Sequence, residues 1–356
     1  RDKLVTGVQT CALPISSEVD IEHHLPSGWG AGFSGKLLFA IAIVFSCFQI
    51  ATSIYAILPV QVLRAVHVGF LVLVACALIA NHTAKTPALK AFGWAVGLAG
   101  FAIGLYHWIF YIDLVNRAGE LNHLDFSIGL VSLVILFAIS WRLMGAALPL
   151  ICLAFIAYAA WGHYLPRPFD HRPFDFDQVL EQLAFGTEGI YATPTGISAT
   201  YIFLFILFGA FLERAGMIQL FNDVALGLVG WARGGAAKVA VISSALMGTI
   251  SGSGVANVVT VGQFTIPLMM RFGYRGAFAG GVEATASMGG QIMPPVMGAV
   301  AFIMAENIGV AYSEIVKAAV VPAILYFASA FWMVHLEAGK HGLSGIPRDQ
   351  LQIGRA

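Results

Sequence analysis

Apolar residues in this chain fall in long blocks, not in alternating stripes. The blocks run from Leu37 to Leu63, Ala65 to Ala84, Ala91 to Ile112, Phe126 to Trp141, Leu143 to Pro166 and Gly189 to Leu212. After a central stretch, two more follow at about Gly276–Ala305 and Tyr312–Leu336. A helix crossing a bilayer needs about 20 apolar residues, so each block predicts a spanning helix, with Phe126–Trp141 extending at its ends. The expected fold class is an all-α integral membrane protein.

One block breaks the pattern. From Val239 to Met270 there is no charge, yet the middle reads "LMGTISGSGVANVVTVGQ". As one straight helix those residues would reach about 48 Å at 1.5 Å per residue, too long for a hydrocarbon core of about 30 Å. Two full spans would need about 40 residues plus a turn. A re-entrant hairpin fits, with one arm near Ala236–Met247, a tip at Gly248–Gly254 and a return arm Val255–Met270. Lys238 and Arg271 with Arg275 then lie at its two ends on one side of the membrane.

A tip at membrane depth leaves peptide groups unpaired, so it must face protein or a watery cavity. The first arm ends in free carbonyls that suit a cation, and the second begins with free N–H groups that suit an anion. Gly248, Gly252 and Gly254 permit the turn, while Ser251, Ser253, Asn257 and Thr260 add oxygens of the kind a hard ion prefers. The competing interpretation, a small-residue face for helix packing, explains the glycines alone. The next block weakens it. "GGVEATASMGGQIMPPVMGAVAFIMAE" carries Gly289–Gly290 and Pro294–Pro295, which cannot sustain a regular helix, and a hairpin beside a broken helix points to a transporter site.

Composition agrees with a membrane chain: 58% of residues are hydrophobic and 11% charged, where soluble proteins average about a quarter charged. Net charge is zero, so the lipid bilayer, and no nucleic acid, is the expected environment. Cys47, Cys76 and Cys152 lie in apolar runs without a CxxC pair and read as small buried thiols. Threading the spans with the N-terminus inside puts Lys36, Lys85, Lys90, Arg142, Arg214 and Arg233 on the cytoplasmic face, the positive-inside pattern. The 163–188 segment is then periplasmic, with an interfacial helix at Phe176–Phe185. "MIQLFNDVALGLVGW" at 217–231 is expected along the cytoplasmic interface.

The run "GTISGSGVANVVTVGQFTIPLMMRFGY" followed by "GGQIMPPVMGAVAFIMAE" resembles the first hairpin and following discontinuous helix of the large membrane subunit of tripartite ATP-independent periplasmic (TRAP) transporters. "GGAAKVAVISSALMGTISGSG" is similar to the fused permeases that work with TAXI-type binding proteins. The resemblance covers about 195–340, and the five earlier spans match in layout only. It implies a permease of the bacterial inner membrane, multi-pass with a cytoplasmic N-terminus. Its expected work is secondary transport of a small organic anion, commonly a carboxylate, with Na⁺ as coupling ion and no other cofactor. A periplasmic TAXI-type solute-binding protein is the implied partner, and an elevator motion the implied mechanism. Carried onto this sequence, Ser251, Gly252, Ser253, Gly254, Asn257, Gln291, Pro294 and Pro295 would bind substrate. Ser251, Ser253, Asn257, Gly289 and Gly290 would hold Na⁺.

The expected organisation is a non-native tail at 1–16 and small-subunit-like helices at 17–165. A periplasmic loop at 166–192, the first large-subunit repeat at 193–340 and a tail at 341–356 follow. The family carries a second, inverted hairpin and broken helix, which nothing after Lys340 supplies, so a truncated N-terminal portion is expected. Glu283 inside a predicted block costs about 2.5–3.5 kcal/mol on insertion scales and is a functional candidate, against a helix-end location near Arg275. His107 beside Trp108 reads as an aromatic belt. The runner-up is a divalent-anion/Na⁺ symporter of related two-hairpin design that needs no binding protein. An intramembrane serine protease lacks a base near Ser251 or Ser253, so no enzyme is expected. A passive membrane anchor would tolerate alanine at Ser251, Ser253 and Asn257.

Overall fold

The computed structural model describes residues 32–55 and 57–347. The tail expected at 1–16, and the part of the second tail from 348 onwards, lie outside the described residues. The described residues are mostly helical, with no strands among them, and form two compact units, one ending at Thr200 and the other starting at Tyr201. Seven described helical segments are long and apolar enough to cross a membrane. They are Phe33–Tyr55, Val60–Thr83, Pro87–Ile109, His123–Met144, Ala147–Tyr164, Thr193–Arg214 and Tyr312–Lys340. The chain is a multi-span α-helical membrane protein.

The first unit contains α1 (Phe33–Tyr55), α2 (Val60–Thr83), α3 (Pro87–Ile109), α4 (Tyr111–Asn116), α5 (His123–Met144), α6 (Ala147–Trp161), α7 (Phe176–Ala184) and α8 (Thr193–Ile197). Its first break departs from expectation. Charge spacing put the boundary at Arg64, but α2 starts at Val60, with Pro59 at its N-cap. Proline has no N–H to give a preceding helix and disfavours helical geometry before it, so the chain turns there. Arg64 instead lies inside α2, where Nη1 donates to the Tyr191 carbonyl at 2.8 Å. The helices α2 and α3 pack closely because glycines line the contact. A Cβ on Gly104 would stand 2.7 Å from the Ala65 oxygen, and one on Gly97 3.1 Å from Cys76 Cβ.

The helix expected at 176–185 forms as α7, and it is anchored. Asp175 caps it through a capping box, and Leu180, Ala184 and Phe185 are buried against α3 and α5 neighbours such as Tyr106 and Phe126. His107 is not part of an aromatic belt: it is buried, stacked on Phe185 at 5.1 Å, with its ring nitrogens 2.9 and 3.3 Å from the Ile103 and Ala184 carbonyls. Asp125, at the start of α5, accepts from Tyr106 at 2.5 Å and pairs with Arg117 at 3.2 Å.

The second unit holds α9 (Phe203–Arg214), α10 (Met217–Val229), α11 (Gly235–Ser251), α12 (Gly254–Arg271), α13 (Gly276–Met288), α14 (Ala299–Ile308) and α15 (Tyr312–Lys340). Its centre is α11, where every residue from Gly235 to Val241 is buried. Small side chains let α10, α12, α13 and α15 pack around it. The helix α10 presents Leu220, Val224 and Leu228 outward at a spacing of four, and turns Asn222 inward to accept from the Ser243 hydroxyl. This is the amphipathic pattern expected of an interfacial helix. Residues after α15 fold back: the Leu343 carbonyl accepts from Gly234 N, and Ile346 N donates to the Gly230 carbonyl.

Candidate functional site

Helices α11 and α12 form an antiparallel hairpin whose ends meet. At its base the Tyr274 hydroxyl lies 3.5 Å from the Gly234 carbonyl. The arms reach about 25 and 27 Å at 1.5 Å per residue, and neither is among the segments long and apolar enough to span. The turn at the far end is tighter than expected, Gly252–Ser253 instead of Gly248–Gly254. Gly252 has φ +60°, and any Cβ there would collide with the Met297 carbonyl oxygen, so both conformation and space require glycine. Gly248 lies within α11, and its role is a backbone crossing: a Cβ would fall 2.5 Å from Gly290 Cα.

The block after the hairpin is discontinuous. The helix α13 ends at Met288, a 3₁₀ turn covers Gly289–Ile292, an irregular passage holds Pro294 and Pro295, and α14 begins at Ala299. The passage is fastened by the Tyr312 hydroxyl, 2.9 and 2.6 Å from the Pro295 and Val296 carbonyls, and by Gly298 N donating to the Gln291 carbonyl at 2.7 Å. This passage packs on the hairpin tip. A Cβ on Gly254 would touch Met288 Sδ at 2.5 Å and Gln291 Nε2 at 3.2 Å, and one on Gly290 would meet Gly248 Cα at 3.0 Å and Asn257 Nδ2 at 3.3 Å.

The structure therefore brings Gly252, Gly254, Asn257, Gly290 and Gln291 together. Asn257 is fully buried; its Nδ2 donates to the Ser244 carbonyl at 2.9 Å, while Oδ1 has no hydrogen-bond partner. The Ser251 hydroxyl is likewise buried without a partner. Two such oxygens in the hairpin, one on the last residue of α11 and one in the second turn of α12, are groups that need a partner in an apolar protein, and their chemistry suits a hard cation. Ser253 is exposed, and its hydroxyl accepts from Ala256 N at 3.3 Å as the N-cap of α12. Gly289 is packed beneath Tyr326 and Phe327. Gln291, Pro294 and Pro295 border the tip from the broken passage, with Gln291 and Pro295 exposed.

One residue gains weight from the structure. Glu283 in α13 is fully buried, away from a helix end and not paired with Arg275. It receives hydroxyls from Ser244 and Ser287 at 2.9 Å and from Thr265 at 2.5 Å. Its sequence signal was a charge within an apolar block. Its partners, eighteen and thirty-nine residues away for Thr265 and Ser244, had none.

Comparison with known proteins places this chain in a family. Residues 126–355 match the family model described as "Tripartite ATP-independent periplasmic transporter, DctM component". The C4-dicarboxylate TRAP transporter large permease protein DctM of Pseudomonas aeruginosa is 31% identical over 163 residues, covering 46% of this chain and 38% of that protein. The protein of the same name from Vibrio cholerae is 34% identical over 121 residues, 34% of this chain and 26% of its own length. The Vibrio cholerae sialic acid TRAP transporter large permease protein SiaM is 27% identical over 144 residues, 40% and 33% of the two chains. The chain thus spans well under half the length of these relatives, all components of transporters and not enzymes. With the family model matched across more than half of its residues, this chain belongs to the DctM component family of the tripartite ATP-independent periplasmic transporters.

Proposed function

We propose that the chain is a permease component of a binding-protein-dependent secondary transporter for small organic anions in the bacterial inner membrane. The hairpin tip and the broken passage form one cation site and part of the anion cavity. Ser251 and Asn257 offer side-chain oxygens to Na⁺, Ser253 holds the turn, and Gly289–Gly290 bring the passage close enough to complete the site. Gly254 at the positive end of α12, with Gln291, Pro294 and Pro295, borders the anion. Relatives named for C4-dicarboxylates and for sialic acid, both carboxylates, support an organic acid as solute. A TAXI-type binding protein as partner, a fused small-subunit-like front at 17–165, a first large-subunit repeat at 193–340 and a cytoplasmic N-terminus complete the reading.

The observation that carries it is the pair of buried, unpartnered oxygens in the hairpin, Asn257 Oδ1 and Ser251 Oγ. A cation that occupies them recovers the desolvation cost and gains the field of the α11 carbonyl end. In proteoliposomes of a transporter carrying this chain, supplied with its binding protein, Asn257→Ala is expected to lower Na⁺-driven uptake by about tenfold or more. Unchanged uptake in Asn257→Ala and Ser251→Ala together, with normal protein levels, refutes the assignment and leaves the passive-anchor reading.

A further inference from the structure

We propose that Glu283 is a proton-binding site, a carboxyl that carries its proton at neutral pH inside a cage of hydroxyls wired through Ser244 to Asn257. Burial is complete, and among the described residues no cation is ion-paired with Glu283. An unpaired carboxylate in such surroundings is strongly disfavoured against its neutral form.

Counting hydrogens supports the neutral form. The Ser244 and Ser287 hydroxyls both reach Oε1. Thr265 Oγ1 has one hydrogen but lies near two acceptors, Glu283 Oε2 at 2.5 Å and the Val261 carbonyl at 3.1 Å. With a proton on Oε2, Glu283 donates to Thr265 and Thr265 donates to Val261, and each group in the cage is satisfied. On release the proton leaves to water and the Thr265 hydroxyl turns to the carboxylate. A larger cation has no room there. The hydroxyls already touch the carboxyl directly, and Gly262 packs so close that a Cβ would lie 3.1 Å from Glu283 Cγ. A hard metal ion needs several oxygens at about 2.3–2.6 Å around itself, which would force the cage open.

The charged and titratable groups on neighbouring elements are engaged elsewhere or stand at helix ends. Lys238 of α11 meets His335 of α15 at 3.1 Å, and Tyr326 of α15 donates to the Thr285 carbonyl. On α15 Lys317 pairs with Glu314, and Lys340 with Glu337. Arg271 closes α12 and Arg275 caps α13. The link to Asn257 is a single residue, since Ser244 gives its hydroxyl to Glu283 and its carbonyl to Asn257 Nδ2. That link rests on the cation reading of Asn257. Ionising Glu283 places a negative charge in the same helical core and raises cation affinity at the tip, and by linkage the cation favours proton release.

Infrared difference spectroscopy of the purified chain in detergent tests this. A carboxylic C=O band is expected at neutral pH, absent from Glu283→Gln and lost as pH rises. Ser287→Ala keeps the carboxyl and removes one hydroxyl that favours the charged form, so loss of the band is expected about one pH unit higher. The second variant serves if Glu283→Gln does not fold. No such band at neutral pH, or a titration that Ser287→Ala leaves unmoved, overturns the proton site. Replacing choline with Na⁺ is expected to lower the pH at which the band disappears. A band that titrates but ignores Na⁺ overturns the link and the cation reading while the proton site stands, so the two failures are distinguishable.

Discussion

At Gly252 one hydrogen atom in place of a methyl group decides whether the hairpin can close. The residue sits at φ +60° with the Met297 carbonyl where a Cβ would be. Left-handed geometry alone costs an ordinary residue about 1–2 kcal/mol, and the collision adds to it. Gly252→Ala is expected to lower the thermal unfolding midpoint in detergent and the amount of protein recovered; a variant as stable as the parent would refute this reading of the turn. Residues of this kind were legible in the sequence, because glycine, serine and proline inside an apolar block announce a broken helix without any knowledge of neighbours. The Glu283 cage was not, since Ser244 and Thr265 look like ordinary small helix residues until folding carries them to the carboxyl. The burial of His107 is hidden from the sequence for the same reason: it depends on α7, which closes over it from far along the chain.

Among elements, the same residue type plays opposite parts, and only packing tells them apart. In α3, Gly100 and Gly104 allow α2 to approach, and a leucine at either is expected to cost about 1–3 kcal/mol by overpacking, read as a lowered unfolding midpoint. In α13, Gly280 and Gly281 face open space, so Gly281→Ala is expected to be neutral or stabilising by up to about 1 kcal/mol through helix propensity. If the Gly104→Leu and Gly281→Ala variants behaved alike, the glycine contacts would not be holding α2 to α3. Outside the spans, His171 bridges the Tyr158 and Arg172 carbonyls with its two ring nitrogens, an arrangement that needs both N–H groups, and these bonds hold its proton above the usual 6.5. A raised folded value means the tie is present below pH 6.5 and lost as pH climbs through that higher value. Hydrogen exchange in the 165–175 segment is expected to quicken with alkalinity beyond the intrinsic rate, and His171→Phe to abolish the pH dependence. Element boundaries followed charge poorly where a cation turned inward, as Arg64 does, and followed proline well, as at Pro59.

For the molecule as a whole, the decisive expectation is that the hairpin leaves the membrane where it entered. That follows from its base, where Gly234 and Tyr274 meet, and from arms too short or too polar to rank with the spanning helices. In a background with the native cysteines replaced, Arg233→Cys and Arg271→Cys both sit at exposed positions flanking the base. A membrane-impermeant maleimide is expected to label both from one and the same side, the cytoplasmic side if the proposed orientation is right. Ser253→Cys, exposed at the tip, is expected to resist that reagent from the same side. Labelling of positions 233 and 271 from opposite sides would make α11 and α12 an odd number of crossings and remove the re-entrant turn. The unpartnered oxygens of Ser251 and Asn257 would then need another explanation, because a turn that does not stop within the bilayer has no reason to carry bare oxygens there. Labelling of both from the periplasmic side would keep the hairpin and reverse the orientation, because the geometry of the site depends on the hairpin's closure and not on which compartment its base faces.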